Sequence, residues 1–252
     1  MEPQFGIVAI LDALGVSSYS ITEAQDFISQ KNLLLDEILN KTSPQIAAIA
    51  NSSLLEPKDG YEYPTLNIAV FGDTIILCWP TKNEDIAVKL FPAVATLLQR
   101  IITVGILRGI LLRGAISIGQ YLSDEKSTIL GPAISDAYSW SEEADWFGVI
   151  LTPHFRMVLG YMLENEALNI DTDIWAVPYS VPLHNSKKDF YVIAWPAHFL
   201  SFQNTVNTLT PYASLCKMLS TKPIPKGTES KYENTLAFFK WYEQNIHAKI
   251  PM

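Results

Sequence analysis

The sequence predicts an α+β sandwich: an antiparallel or mixed sheet with helices packed on it, followed by a C-terminal β-hairpin and helix. Three observations carry that expectation. Short apolar runs of strand length recur at "FGIVAIL", "TLNIAVF", "TIILCW", "ILLRGAISIG" and "FGVILT". Segments with apolar residues at helical spacing alternate with them. Two of the runs are separated only by Gly72-Asp73, the spacing of a tight hairpin and so of antiparallel pairing. The element order is roughly βα(α)ββαβ(β)αβ.

"FGIVAIL", residues 5–11, has the unbroken apolar character of a central strand covered on both faces, and it ends at "DALG". "TEAQ", Thr22 to Gln25, has a capping-box pattern, and Ala24, Phe27, Ile28, Leu34, Leu35, Ile38 and Leu39 follow at helical spacing. Asn40 to Tyr63 is polar-rich and reads as helix and loop. Asn83 to Asp85 cap a helix reaching about Gly105, with Pro92 as a candidate kink. Gly131-Pro132 opens the helix "AISDAYSWSEEA". From residue 176 the texture changes: "WAVPYSVPL" and "DFYVIAWP" pair through "HNSKK", and "KYENTLAFFKWYEQNIHAKI" forms a terminal helix. The expected division is a main domain over 1–175 and an extension over 176–252 packed on it.

The bulk properties exclude several function classes. The chain of 252 residues is 48% hydrophobic and 17% charged, which suits a folded domain without repeats or low-complexity tracts. A net charge of −8 argues against a nucleic-acid surface, and a triphosphate would be repelled at long range unless metal ions compensated. Cys78 and Cys216 lie far apart in apolar contexts, suited to thiols in a reducing cytoplasm. "LFPAVATLLQRIITVGILRGILL", residues 90–112, is interrupted by Pro92, Gln99, Arg100 and Arg108, so a buried helix running into a core strand is expected, not a membrane span. The start has no signal-peptide pattern; a soluble, cytoplasmic protein is expected. The four histidines have no metal-ligand spacing, and no phosphate-binding loop motif is present.

Two carboxylates stand out. Asp12 ends one apolar run and Asp73 interrupts another, where an unpartnered ionised group is costly. Asp12 precedes the small-residue turn Ala13-Leu14-Gly15-Val16, whose backbone N–H groups could face a phosphate. If the two strands are neighbours, Asp12, Asp73 and a phosphate form a hard-oxygen site for Mg²⁺ or Mn²⁺. Paired ions of that kind support phosphoryl or nucleotidyl transfer. Each residue also has a plainer use, Gly72-Asp73 as a hairpin turn and Asp12 as a cap.

The ordered set "AILDALG", "VFGDTI", "LLRGAISIG" and "ILGPAISDAYSWSEEA", over about residues 5–155, resembles the class III nucleotidyl cyclase family. The resemblance implies a ferredoxin-like α/β sandwich working as a homodimer with composite sites. Asp12 and Asp73 would hold two Mn²⁺ or Mg²⁺ ions, the Ala13 carbonyl would complete one sphere, and the Gly15 and Val16 amides would hold phosphates. Thr128 and Ser135 match positions of the nucleotide half-site. In the implied reaction a 3′-hydroxyl attacks the α-phosphate of a nucleoside triphosphate and pyrophosphate leaves.

The departures are equally specific. Purine cyclases carry Lys where this chain has Ala69, and their transition-state Asn and Arg correspond to Ser135 and Ser139. The metal half is kept while the purine-reading half is not. That pattern, with the compact size, is similar to the stand-alone pyrimidine cyclases of bacterial anti-phage (Pycsar) defence, with UTP favoured over CTP as substrate. Arg113 or Arg156 would then supply the missing cation, Arg113 being the candidate kept; its plainer use is an ion pair on its strand. The alternative is an inactive nucleotide-binding or dimerising module on the same fold.

Overall fold

Strand β1 (Gln4–Ala13) is central because both its faces are apolar: Ile7, Ala9 and Leu11 look one way, Val8 and Ile10 the other, and all are buried. In this computed structural model, residues 2–16, 19–53, 63–124, 128–164, 174–203, 209–221 and 223–249 are described. Strand β1 pairs antiparallel with β3 (Thr74–Thr81) on one side and with β4 (Leu112–Ser123) on the other. Outside β3 lies β2 (Asn67–Phe71), and the two-residue β2–β3 loop is the Gly72-Asp73 turn expected from the sequence. Gly72 has φ +62, a conformation that costs glycine little and other residues more.

The short β5 (Ile129–Leu130) pairs with the far end of β4, and β6 (Gly148–Leu151) lies parallel to β4. The hairpin expected after residue 176 forms: β7 (Ala176–Pro182) pairs antiparallel with β8 (Lys187–Ile193). Its β8 adds to β6 at Ile150↔Val192, so one mixed sheet runs β2-β3-β1-β4-β6-β8-β7.

Helix α1 (Ile21–Glu37) leads through a π-helical turn, Ile38–Thr42, into α2 (Ser43–Ser53). The α1 capping box is Ser20 with Glu23, not the expected Thr22 to Gln25. The Glu23 carboxylate reaches back to the Ser20 N–H at 2.8 Å, so the helix starts one residue before Thr22. The polar stretch from Asn40 to Tyr63 contains α2, and residues 54–62 of it lie outside the described residues. Helix α3 (Glu84–Leu107) is capped by Asn83, whose side chain accepts the Ile86 N–H at 3.0 Å. It is long and apolar enough to cross a membrane, yet 78% of its most apolar window is buried inside the fold; it is a core helix leading into β4, as expected.

Helix α4 (Pro132–Ser141) starts at Gly131-Pro132. It is followed by α5 (Pro153–Glu164), α6 (Trp195–Gln203), α7 (Pro211–Leu219) and α8 (Glu229–Asn245). The main core joins Ile7, Leu77 and Ile116 to α3 and to Phe155, Phe199, Leu215 and Phe238. A smaller one lies on the opposite sheet face, where Ala133, Ile134 and Ala137 of α4 cover Val8, Ile10, Ile76 and Cys78. Thr235 on α8 accepts the buried Phe147 N–H at 2.8 Å, satisfying a donor at the start of β6.

A candidate carboxylate site at the end of the sheet

Side-chain alternation decides where Asp12 points. Leu11 and Ala13 enter the main core, so Asp12 faces the α4 side of the sheet. The register puts Thr74 of β3 and Arg113 of β4 opposite it on one rung. The Thr74 hydroxyl donates to Asp12 Oδ1 at 3.2 Å, and Arg113 Nη2 lies 3.5 Å from Oδ2. Arg113 is itself anchored, since its Nη1 donates to the carbonyls of Glu142 at 3.1 Å and Ala144 at 3.4 Å.

Asp73 stands at the hairpin loop immediately before Thr74. The Ala13 N–H donates to the Asp73 carbonyl at 3.2 Å, which ties the two carboxylate-bearing segments by their backbones. From α1, Lys31 donates to the Gly72 carbonyl at 2.6 Å while its ammonium lies 5.5 Å from the Phe27 ring centre. A buried lysine thus braces the hairpin tip.

The electrostatics record the proximity. Burial raises the Asp12 carboxyl above its ordinary value, and the Asp73 charge raises it further; Arg113 and the Thr74 hydrogen bond oppose the shift. A cation between the carboxylates would relieve their repulsion. Among the described residues no group of three or more His, Cys, Asp and Glu gathers at one place. An ion here would therefore take two carboxylates, with backbone, water and phosphate oxygens making up its sphere. That donor set fits Mg²⁺, which binds through one or two carboxylates plus substrate phosphates.

The remaining sequence candidates divide into two groups. Gly15 (φ +85) and Val16 form the turn that follows β1, at the Asp12 end, where the Leu14 N–H donates to the Leu111 carbonyl at 2.9 Å. Thr128 lies at the other end of β4, its N–H donating to Asp124 Oδ1 at 2.8 Å. Arg113 and Ser123 already stand about 33 Å apart along β4 at a strand's rise of ~3.3 Å per residue. Ser135 is in the first turn of α4, its N–H bonded to the Gly131 carbonyl, and the Ser139 hydroxyl donates to the Asp136 carbonyl at 2.9 Å. One chain therefore brings Asp12, Ala13, Asp73 and Arg113 together, with Gly15 and Val16 beside them, and leaves Thr128 apart. Ala69 sits opposite Ile76 in the smaller core, where an apolar side chain is at home.

Sequence reasoning missed Thr74 and Lys31. Thr74 had a usable signal, since it follows Asp73 at the first strand position; Lys31 is an ordinary lysine in a helical repeat until the fold places it under the hairpin.

No family model matches the sequence, and no curated protein does. Among solved structures, the chain is similar to the crystal structure of the adenylyl cyclase CyaB from P. aeruginosa, with 13% sequence identity and a TM-score of 0.40. The similarity covers 77% of this chain and 96% of that one. The functional reading therefore rests on the residues of the site.

Proposed function

We propose that the protein is a divalent-metal-dependent nucleotide cyclase acting on a pyrimidine nucleoside triphosphate, UTP in preference to CTP. The observation that carries this is the Ala13–Asp73 backbone bond at 3.2 Å, which ties the end of β1 that carries Asp12 to the loop that carries Asp73. Asp12 and Asp73 hold Mn²⁺ or Mg²⁺, and the Gly15–Val16 turn presents backbone N–H groups to phosphate. Bound ions supply charge neutralisation and activation of the attacking hydroxyl. The 3′-oxygen forms a bond to the α-phosphorus, the bond from that phosphorus to pyrophosphate breaks, and the hydroxyl proton passes to solvent. Arg113 stands beside the carboxylates as the cation for the accumulating phosphate charge.

Thr128 lies too far along β4 to serve the same chain's carboxylates, which favours a homodimer in which the second copy supplies Thr128 and Ser135. Ala69 offers no polar group to a purine, which favours a pyrimidine. The product would then be a cyclic nucleotide signal, in keeping with a place in anti-phage defence.

A second reading, a nucleotide-binding module without turnover, is favoured by one contact set: both Asp12 oxygens are already engaged, by Thr74 and by Arg113. The test is incubation of the purified protein with ATP, GTP, CTP or UTP and Mn²⁺, with products resolved by mass. A cyclic pyrimidine product, lost in Asp73→Ala, supports the cyclase. Cyclic purine product keeps the metal site and overturns the base assignment. Triphosphate binding without product supports the module.

A further inference from the structure

Arg113 is aimed by a short backbone segment, residues 142–147, which joins α4 to β6. Two carbonyls of that segment, those of Glu142 and Ala144, accept from Arg113 Nη1, while Nη2 reaches Asp12. The Arg113 Nε–H is buried and has no hydrogen-bond partner among the described residues. The place of the guanidinium fork therefore depends on where the two carbonyls are held.

The same segment is gripped by the C-terminal hairpin and helix. Ala144 and Leu183 form an antiparallel bridge, and the Asp145 N–H donates to the Pro182 carbonyl at 2.9 Å. From α8, the Asn234 amide donates to the Asp145 carbonyl at 2.8 Å. The β7–β8 turn is closed by the Leu183 N–H, which donates to the Ser186 carbonyl at 2.8 Å. That turn presents His184, whose Nε2 stands 3.1 Å from the Glu142 carbonyl. A carbonyl only accepts, so this ring nitrogen carries the hydrogen. One oxygen thus takes two donors, Arg113 Nη1 and His184 Nε2, each at 3.1 Å. The Glu142 carboxylate has a different partner and accepts the Tyr138 hydroxyl at 2.8 Å.

We infer that His184 is a positioning residue for Arg113. Its ring fixes the Glu142 carbonyl to which the guanidinium is bonded, and through it the cation beside Asp12. The contact stands without a ligand. Its use in turnover rests on the cyclase reading above, in which Arg113 meets the charge that accumulates on phosphate. A group that answers charge arising in the transition state acts on kcat more than on KM.

The chain has only the arginines Arg100, Arg108, Arg113 and Arg156, so the Arg113 Nε–H signal is assigned by its loss in Arg113→Lys. Hydrogen exchange at that group is measured by NMR on the full chain without nucleotide, for the unaltered protein, His184→Leu and His184→Gln. Leucine removes the donor, and the glutamine amide supplies one. Loss of one neutral hydrogen bond should speed exchange about fivefold in His184→Leu, with His184→Gln returning to within about twofold. The Arg108 Nε–H, whose guanidinium pairs with Glu37, should not move. In turnover with Mn²⁺ and a nucleoside triphosphate, His184→Leu should lower kcat about fivefold at nearly constant KM, and His184→Gln should restore it. In an Arg113→Met background the His184→Leu change should add nothing. Thermal melts check the fold of each variant. An unmoved Arg113 exchange rate in folded His184→Leu, or a kcat loss of the same size with Arg113 absent, would overturn the positioning. A moved exchange rate with no triphosphate turned over by the unaltered protein keeps the positioning and overturns the cyclase reading.

Discussion

Asp12 and Arg113 face each other across β1 and β4, with Nη2 3.5 Å from Oδ2, and the same guanidinium donates to the carbonyls of Glu142 and Ala144. One side chain thus fastens the carboxylate to the chain beyond α4. Replacing it strips a partly buried charge and two carbonyls of their partner. Arg113→Met is expected to lower unfolding free energy by about 1–3 kcal/mol, read from urea titrations. Arg113→Lys, lacking the planar fork, should recover only part of that loss.

The raised Asp12 carboxyl makes a signed pH prediction. The folded state binds this proton more tightly than the unfolded chain, so between the ordinary value of 3.8 and the raised one, stability from this group falls as pH rises. Asp12→Asn removes that slope. Relative to the unaltered protein, the variant should gain stability as pH rises through this interval and then level off. Asp73→Asn, by removing the second cause of the shift, should narrow the interval by lowering its upper end. Urea midpoints measured across the acid range check both; parallel curves for all three proteins would contradict the proximity of the two carboxylates.

Lys31 makes the hairpin tip a test of bracing. Lys31→Met keeps the stem over Phe27 and removes the donor to the Gly72 carbonyl, at an expected cost of about 1–2 kcal/mol. Faster amide exchange at Gly72 and Asp73, with the centre of β1 unchanged, would place the effect at the tip.

Gly72 itself has open space where a Cβ would stand, so only its φ of +62 resists substitution. Gly72→Ala should destabilise by about 1 kcal/mol, and Gly72→Asn by less, because Asn tolerates the left-handed region better. Thermal or urea melts of the pair check the order.

Thr235→Val leaves the buried Phe147 N–H without its acceptor while keeping side-chain shape. The expected loss is about 1–3 kcal/mol by chemical denaturation. Thr235→Ser, which keeps the acceptor, should lose less.

Features governed by neighbours in the sequence were legible there: the β1 apolar run, the Gly72-Asp73 hairpin, the Asn83 cap and the β7–β8 pairing. The start of α1 was misplaced because "TEAQ" and the true pair Ser20 and Glu23 differ by two positions within the same polar stretch. At the site, Asp12 and Asp73 were visible because charge inside apolar runs is costly. Their adjacency required knowing that β1 pairs with β3, a contact across sixty-odd residues that no local pattern encodes. The role of Lys31 was hidden for the same reason, since α1 and the β2–β3 hairpin it braces lie far apart in the chain.

The joining of β8 to β6 has a consequence for how the protein comes into being. Among the described residues, strand β6 has β4 on one side and β8, which begins at Lys187, on the other. Until that segment has been synthesised, a nascent chain holding everything through β6 carries an open strand edge, the kind of surface that invites pairing with other chains. The Phe147 amide likewise waits for Thr235. The start of β6 therefore stays incomplete until Thr235 of α8, 88 residues further along the chain, has emerged.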